Sequence, residues 1–240
     1  MQIRTMFLLV FMLFSAAACW RLSSQADFQF FGQVVHRVET TAPFVALTFD
    51  DGPTPEKTEQ LLQILAQEQV LATFFLTGAE IEQQPQLLGK ILAAGHQVGN
   101  HSYSHRRMMF KSLAFIADEI ERTDALLQAG GAPEPYLFRP PYGKKLLLLP
   151  WYLARQQRLS VTWDLAPENY PQLVQDRQKL IDFTVSQARP GSIILLHVMY
   201  DSRSTTLQAV PEIIRGLKAR GFALVTVNQL LELREAPAAR

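Results

Sequence analysis

From Phe44 onward, short apolar or β-branched runs alternate with helix-length amphipathic segments, and Gly, Pro or Asn marks each change. The pattern predicts strands over residues 45–49, 72–76, 96–100, 136–138, 160–163, 192–196 and 222–227. Helices lie between them. One is expected over 55–68, with Thr54 as N-cap, Pro55 at the first helical position and Leu61, Leu62 and Leu65 as its buried stripe. Another, over 111–128, carries Leu113, Ile116, Ile120 and Leu127 at helical spacing and stops at Gly130-Gly131. Unbroken apolar runs such as IILL (193–196) fit strands buried on both faces, hence a parallel sheet in an α/β fold. An open doubly wound sheet and a barrel both satisfy this periodicity. The segment FQFFGQVVHRVE (28–39) reads as an N-terminal hairpin, and 234–240 as a loose tail.

At 240 residues, 48% hydrophobic and 19% charged, the chain can bury one sizeable core and sits at the upper end of single-domain size. It opens with Arg4 and an uncharged apolar run from Met6 to Ala18, the pattern of a signal peptide over 1–18. Ala16-Ala17-Ala18 suits cleavage. The sole cysteine, Cys19, follows three small residues as at a bacterial lipoprotein processing site, although the usual Leu three positions before it is missing. The expected location is therefore exported, periplasmic or extracellular, with a lipid on Cys19 as the only expected membrane link. One cysteine builds no internal disulfide framework, so folding must rest on the core. Residues 1–18 carry Arg4 as their only charge, and without them 22 basic residues face 22 acidic ones. With no basic block either, nucleic acid is excluded as a partner on bulk electrostatics.

In parallel α/β folds, functional groups gather where strands end. Here the strand ends run into Asp50-Asp51-Gly52, HSYSH (101–105), RPPYG (139–143), WDLAPENY (163–170) and LLH (195–197). Three of the five histidines and the most awkward carboxylates share that face; His36 and His96, outside any such motif, read as structural. His101 and His105 are four apart, so one helical turn would put both imidazoles on one side for a transition metal. Asp51 is the natural third ligand, and two His plus one carboxylate leave positions open, as in a catalytic Zn²⁺ site. Such a metal lowers the pKa of bound water from about 15.7 towards about 7. Asp50 would then accept a proton, held ionised by Arg139, and His197 would protonate a leaving group. Each residue also has a plain reading: a turn motif for Asp50-Asp51-Gly52, a rim ion pair for Arg139, a satisfied strand-end histidine for His197.

TFDDG, HSYSH, RPPYG and LLH, in this order, resemble the polysaccharide deacetylases with the NodB homology domain, carbohydrate esterase family four, over nearly all of the chain from 44 to 233. The resemblance implies a distorted (β/α)₇ barrel as a single catalytic domain, preceded by the signal peptide and an extension over 19–43. It implies a metal-dependent N-deacetylase of N-acetylated glycans: peptidoglycan, chitin-type oligosaccharide or exopolysaccharide. Position by position, Asp50 becomes the general base, Asp51, His101 and His105 the ligands of a divalent metal (Zn²⁺ first, with Co²⁺, Ni²⁺ or Mn²⁺ as substitutes), and His197 the general acid. Arg139 would orient Asp50, and the Tyr142 backbone N–H would stabilise the oxyanion. Pro141, Tyr170 and Leu195 would line the substrate site, Leu195 flooring a methyl-sized acetyl pocket.

One motif departs from the family. An Asp-Trp pair is usual where this chain has Asn169-Tyr170, and a neutral Asn beside His197 should leave its pKa lower. Two other readings compete: a carbohydrate-binding relative that lost turnover, and a hydrolase of a small amide or cyclic imide. The complete set Asp50, Asp51, His101, His105 and His197 argues against the binding module, which has no physical need for all five. Oligomeric state is not legible.

Overall fold

A computed structural model describes residues 2–234 of the chain. Its strands are β1 (Val34–Val35), β2 (Phe44–Asp50), β3 (Thr73–Leu76), β4 (Gln97–Asn100), β5 (Ser160–Val161), β6 (Ile193–His197) and β7 (Ala223–Val225). All named pairings are parallel. β2 is the hub: β6 runs along one side, while the other side takes β7 at Phe44–Ala46 and β3 at Thr48–Asp50. β4 continues from β3, and single parallel bridges at Asn100–Phe138, Phe138–Ser160 and Leu165–Ile194 carry the ring round to β6. The result is a distorted parallel barrel closed partly by bridges.

Alternation along β2 explains how the barrel is filled. Val45, Leu47 and Phe49 point outward into the larger apolar cluster, with Phe74, Leu76, Ile194 and Leu196 from the flanking strands. Against it pack α2 (Lys57–Gln67), α4 (Pro85–Ala93), α8 (Arg177–Gln187) and α9 (Ser204–Ala219), through residues such as Leu61, Leu88, Leu180 and Val210. The inward positions change character along the strand. Ala46 joins Val35, Phe75, Val161, Ile193 and Leu230 in an apolar plug at the start of the strands. Thr48 sits above it, and Asp50 ends the row at the carboxyl end. A strand with period 2 thus carries core, buried hydroxyl and carboxylate on one face.

Several expectations are corrected. Residues 28–39 form no hairpin: β1 pairs parallel with β5, and Arg37 bridges antiparallel to Ser192, so the segment patches the barrel wall. The strand expected over 136–138 shrinks to one bridging residue, Phe138. α2 starts at Lys57, not Pro55, because Glu56 takes φ 60° and breaks the first turn, while the Thr54 hydroxyl donates to the Met199 carbonyl at 2.6 Å. α5 (Leu113–Ala129) instead follows expectation, capped by Ser112 and buried through Ile116, Ile120 and Leu127, although Leu113 is exposed. At the N-terminus lies α1 (Gln2–Ser23), with Phe7, Phe11 and Phe14 exposed; among the described residues no helix is long and apolar enough to cross a membrane. Of the expected tail, residues 235–240 lie outside the described residues.

Candidate active site

The register of β2 against β6 puts Asp50 opposite His197, and Thr48 opposite Leu195. Two strand ends therefore bring a carboxylate and an imidazole together with no loop between them. Arg139, fully buried, enters this space from the segment after Phe138. Its Nη1 donates to Asp50 Oδ1 at 2.6 Å and to Thr48 Oγ1 at 2.7 Å, its Nη2 donates to the Thr162 carbonyl at 2.9 Å, and the Phe75 ring lies 3.9 Å from Cζ. Burial alone would raise the Asp50 carboxyl. Arg139, with His101 and His197, outweighs that penalty and holds it below the usual carboxylate range.

Asp51, at φ 70°, turns away from β2, and Gly52 follows at φ 78°. A side chain at Gly52 would meet Met199 Cγ at 2.8 Å, so the close approach of the β6 loop requires glycine here. The Gly52 N–H donates to Glu80 Oε2 at 2.7 Å, which also receives the Thr77 hydroxyl. The HSYSH segment is an irregular loop, not the expected helical turn. Ser102 and His105 both have positive φ, 64° and 55°, and the loop is pinned by Asn100 Oδ1 on Ser102 N–H and by Glu119 on Ser104. Non-glycine residues in this region cost about 1 kcal/mol or more each, and here they aim the two imidazoles.

Asp51, His101 and His105 converge, with one ligand atom from each lying within 4.8 Å of the others. Asp51 Oδ1 is 3.4 Å from His105 Nε2 and 3.9 Å from His101 Nε2. His101 Nδ1 lies 2.8 Å from the Arg139 carbonyl, which can only accept; Nδ1 therefore carries the proton and Nε2 presents a lone pair to the cluster. Burial lowers the His101 pKa and favours that neutral ring. Asp51 Oδ1 is buried without any hydrogen-bond partner. An orphaned carboxylate oxygen facing two imidazole nitrogens is the donor set of a divalent transition metal, and the residues fit one.

On the opposite side, His197 Nδ1 meets Glu168 Oε2 at 2.6 Å, and the His197 backbone N–H donates to the same oxygen at 2.8 Å. Glu168 Oε1 accepts from Thr206 Oγ1 at 2.7 Å. Burial opposes charge on His197, but the Glu168 hydrogen bond, with Asp50 nearby, wins and raises its pKa above the ordinary histidine value. This corrects the expectation drawn from Asn169. The carboxylate stands one residue earlier, on the short helical turn Pro167–Asn169, while the Asn169 side chain faces solvent. A carboxylate two residues before the aromatic Tyr170 was the available signal.

The remaining predicted residues sit around this centre. Pro141 is buried, and Tyr142, at φ 58° and 51% exposed, stacks against His105 with ring centroids 4.7 Å apart. Leu195 is buried on the inward face below His197, and Tyr170 packs on Phe183 at 5.1 Å with 45% of its surface exposed. His96 is structural as expected: its Nδ1 accepts the Ala72 N–H, and burial lowers its pKa to about 4.

Comparison with known proteins agrees with this geometry. A profile of the family described as polysaccharide deacetylase matches residues 37–162. Over 201 residues the chain is 36% identical to the peptidoglycan-N-acetylmuramic acid deacetylase PdaC of Bacillus subtilis, covering 82% of this chain but 41% of that longer protein. It is 31% identical to a peptidoglycan-N-acetylglucosamine deacetylase of Bacillus cereus, covering 85% of this chain and 95% of the relative. The crystal structure of a peptidoglycan N-acetylglucosamine deacetylase superimposes with a TM-score of 0.78 at 29% identity, over 83% of this chain and 92% of the other. A matched profile spanning more than half the chain, near-complete coverage of a relative above 30% identity and a common fold lead to one conclusion: the chain belongs to the polysaccharide deacetylases with the NodB homology domain.

Proposed function

We propose that this protein hydrolyses the N-acetyl amide of an N-acetylglucosamine-containing glycan outside the cytoplasm, releasing acetate and leaving a free amine on the sugar. The observation that carries the reading is the Asp51, His101 and His105 cluster lying beside an Asp50–His197 pair fixed by strand register. Asp51, His101 and His105 would hold a divalent cation, Zn²⁺ by ligand type. A cation held there would supply Lewis-acid chemistry, lowering the pKa of water and polarising the acetyl carbonyl. Asp50, kept anionic by Arg139, takes the proton from the water as it adds to the carbonyl carbon. The backbone N–H of Tyr142 would stabilise the oxygen that gains charge. His197, protonated through its bond to Glu168, gives its Nε2 proton to the nitrogen as the C–N bond breaks. Leu195, buried on the inward face of β6, would line the space for the acetyl methyl, and Pro141 and Tyr170 would contact the sugar.

The relatives' names favour peptidoglycan or a chitin-type oligosaccharide as the polymer. The apolar leader over 1–18 supports export, with Cys19 available for lipid. The test is acetate release from N-acetylglucosamine oligomers and from peptidoglycan, after chelation and after Zn²⁺ add-back. Chelator-sensitive release restored by metal supports the reading and begins to name the polymer. No release with metal bound points to another amide, and no release without bound metal points to a carbohydrate-binding protein.

A further inference from the structure

Residues 20–27 lie before the segment matched by the family profile, yet they reach the loop that carries Tyr142. Ser23 is fully buried, and its carbonyl accepts the Lys145 backbone N–H at 2.9 Å. The Lys145 ammonium, itself buried, donates to the Gln25 carbonyl. The Lys144 ammonium donates to the Ser24 hydroxyl, lies 3.4 Å from the Trp20 carbonyl at the end of α1, and sits 3.5 Å from the Trp20 ring centroid. A cation is favoured at a helix C-terminus by its unpaired carbonyls. Further along, the Ala26 carbonyl accepts the Thr162 hydroxyl at 2.6 Å.

These contacts touch the site by two routes. Lys144 and Lys145 directly follow the Pro141–Gly143 turn, whose middle residue, Tyr142, is held at φ 58°. A left-handed tyrosine persists only where its surroundings over-determine it. Thr162, the other anchor, gives its own carbonyl to Arg139 Nη2, the guanidinium that holds Asp50. One short segment therefore buttresses both the turn and the floor beneath the base.

We propose that residues 20–27 form a strap that positions the Tyr142 turn, making turnover dependent on a segment outside the region matched by the family profile. Lys145 and Thr162 are positioning residues that act through Tyr142 and Arg139. Burial pulls the Lys145 pKa down to about 8, a cost that its bond to the Gln25 carbonyl offsets in part. The strap begins after residue 18, so cleavage of the leader there would leave residues 20–27 in the chain.

The inference rests on the deacetylase reading, and the test separates the two. Full-length Lys145→Met, Lys145→Arg and Thr162→Val chains are compared with the parent for kcat and KM on an N-acetylglucosamine oligomer, zinc content, Tm and amide hydrogen exchange across residues 139–147. For Lys145→Met we expect an unchanged or higher Tm, full zinc content, KM within about twofold, kcat about tenfold lower and faster exchange in that segment. Thr162→Val should lower kcat less, and Lys145→Arg should restore most of it. Leu230→Ala in the apolar plug, which lowers Tm without touching the strap, should leave kcat near the parent's and serves as the stability control. Parent-like kcat in both Lys145→Met and Thr162→Val overturns the strap, and so does a kcat loss that tracks zinc loss. Absence of acetate release by the parent counts against the reaction instead; hydrogen exchange then decides alone, with unchanged exchange in Lys145→Met overturning the strap.

Discussion

The Asp50 side and the His197 side of the site, proposed here as base and acid, solve opposite electrostatic problems with the same kind of pair. At Asp50 a buried cation, Arg139, holds the carboxyl below its usual range; at His197 the Glu168 carboxylate raises the imidazole's pKa. Their supports differ. Arg139 is fully enclosed and spends its other donors on Thr48 and the Thr162 carbonyl, so the pair is part of the barrel interior. Glu168 comes from a short turn on a connecting loop, and its partner His197 is a quarter exposed. Asp50 is thus fixed by the core, and His197 is tuned by a loop.

The sharpest way to break the comparison is at the base. Asp50→Asn should keep the metal, because Asp51, His101 and His105 remain, while kcat falls by about 10²–10⁴. His101→Ala should lose both metal and turnover. Metal analysis beside acetate release checks the pair, and near-normal kcat in Asp50→Asn would remove Asp50 from the role of base. Arg139→Met tests the structural half of the same claim. It leaves Asp50 buried without its cation, and a buried charge stripped of its partner costs about 3–5 kcal/mol, to be read as a loss of unfolding free energy in urea. The sign with pH follows from the lowered Asp50 pKa. The pair's contribution is present above the unfolded carboxyl value and disappears as pH falls through the folded one, so parent and variant should converge in stability at low pH.

The acid side should respond more gently, and mainly in its pH profile. In the proposed acid role His197 must be protonated, and its pKa is raised, so activity should fall as pH rises through that raised value. Glu168→Gln removes the anion and keeps the shape. The alkaline limb should move to lower pH, and at pH values above both limbs kcat should be about tenfold lower for each unit of displacement. An alkaline limb that stays in place would detach Glu168 from the tuning of His197.

The two sides also differed in how well the sequence announced them. Asp50, Asp51, His197 and Arg139 were legible because each ends an apolar run or opens a Pro-rich turn, where a polar residue has no packing reason to be. Strand register then did the rest, pairing Asp50 with His197. Glu168 was missed because its role depends on which of three adjacent polar or aromatic residues a short helical turn aims inward, and sequence spacing does not encode that aim. The HSYSH loop failed in a similar way. The two histidines do converge, but through left-handed Ser102 and His105 braced by Asn100 and Glu119, and not through a helical turn. The predicted hairpin over 28–39 failed for a different reason. Its apolar residues found a long-range partner in β5, a pairing that local pattern cannot reveal.

The smallest expected effect is the most discriminating between Glu168 and its neighbour. The Asn169 side chain is exposed and stands outside the hydrogen bonds around His197, which go to Glu168 alone. Asn169→Ala should therefore leave kcat within about twofold and the alkaline limb in place, since solvent-facing substitutions without a partner change little. Asn169→Asp should also fail to raise the limb, because a solvated carboxylate is screened where a buried one is not. A shift in Asn169→Ala as large as that in Glu168→Gln would mean that the loop presents Asn169 to His197 during turnover. The His197 side would then be switched by loop register, in contrast to Asp50, which is paired with the fully buried Arg139.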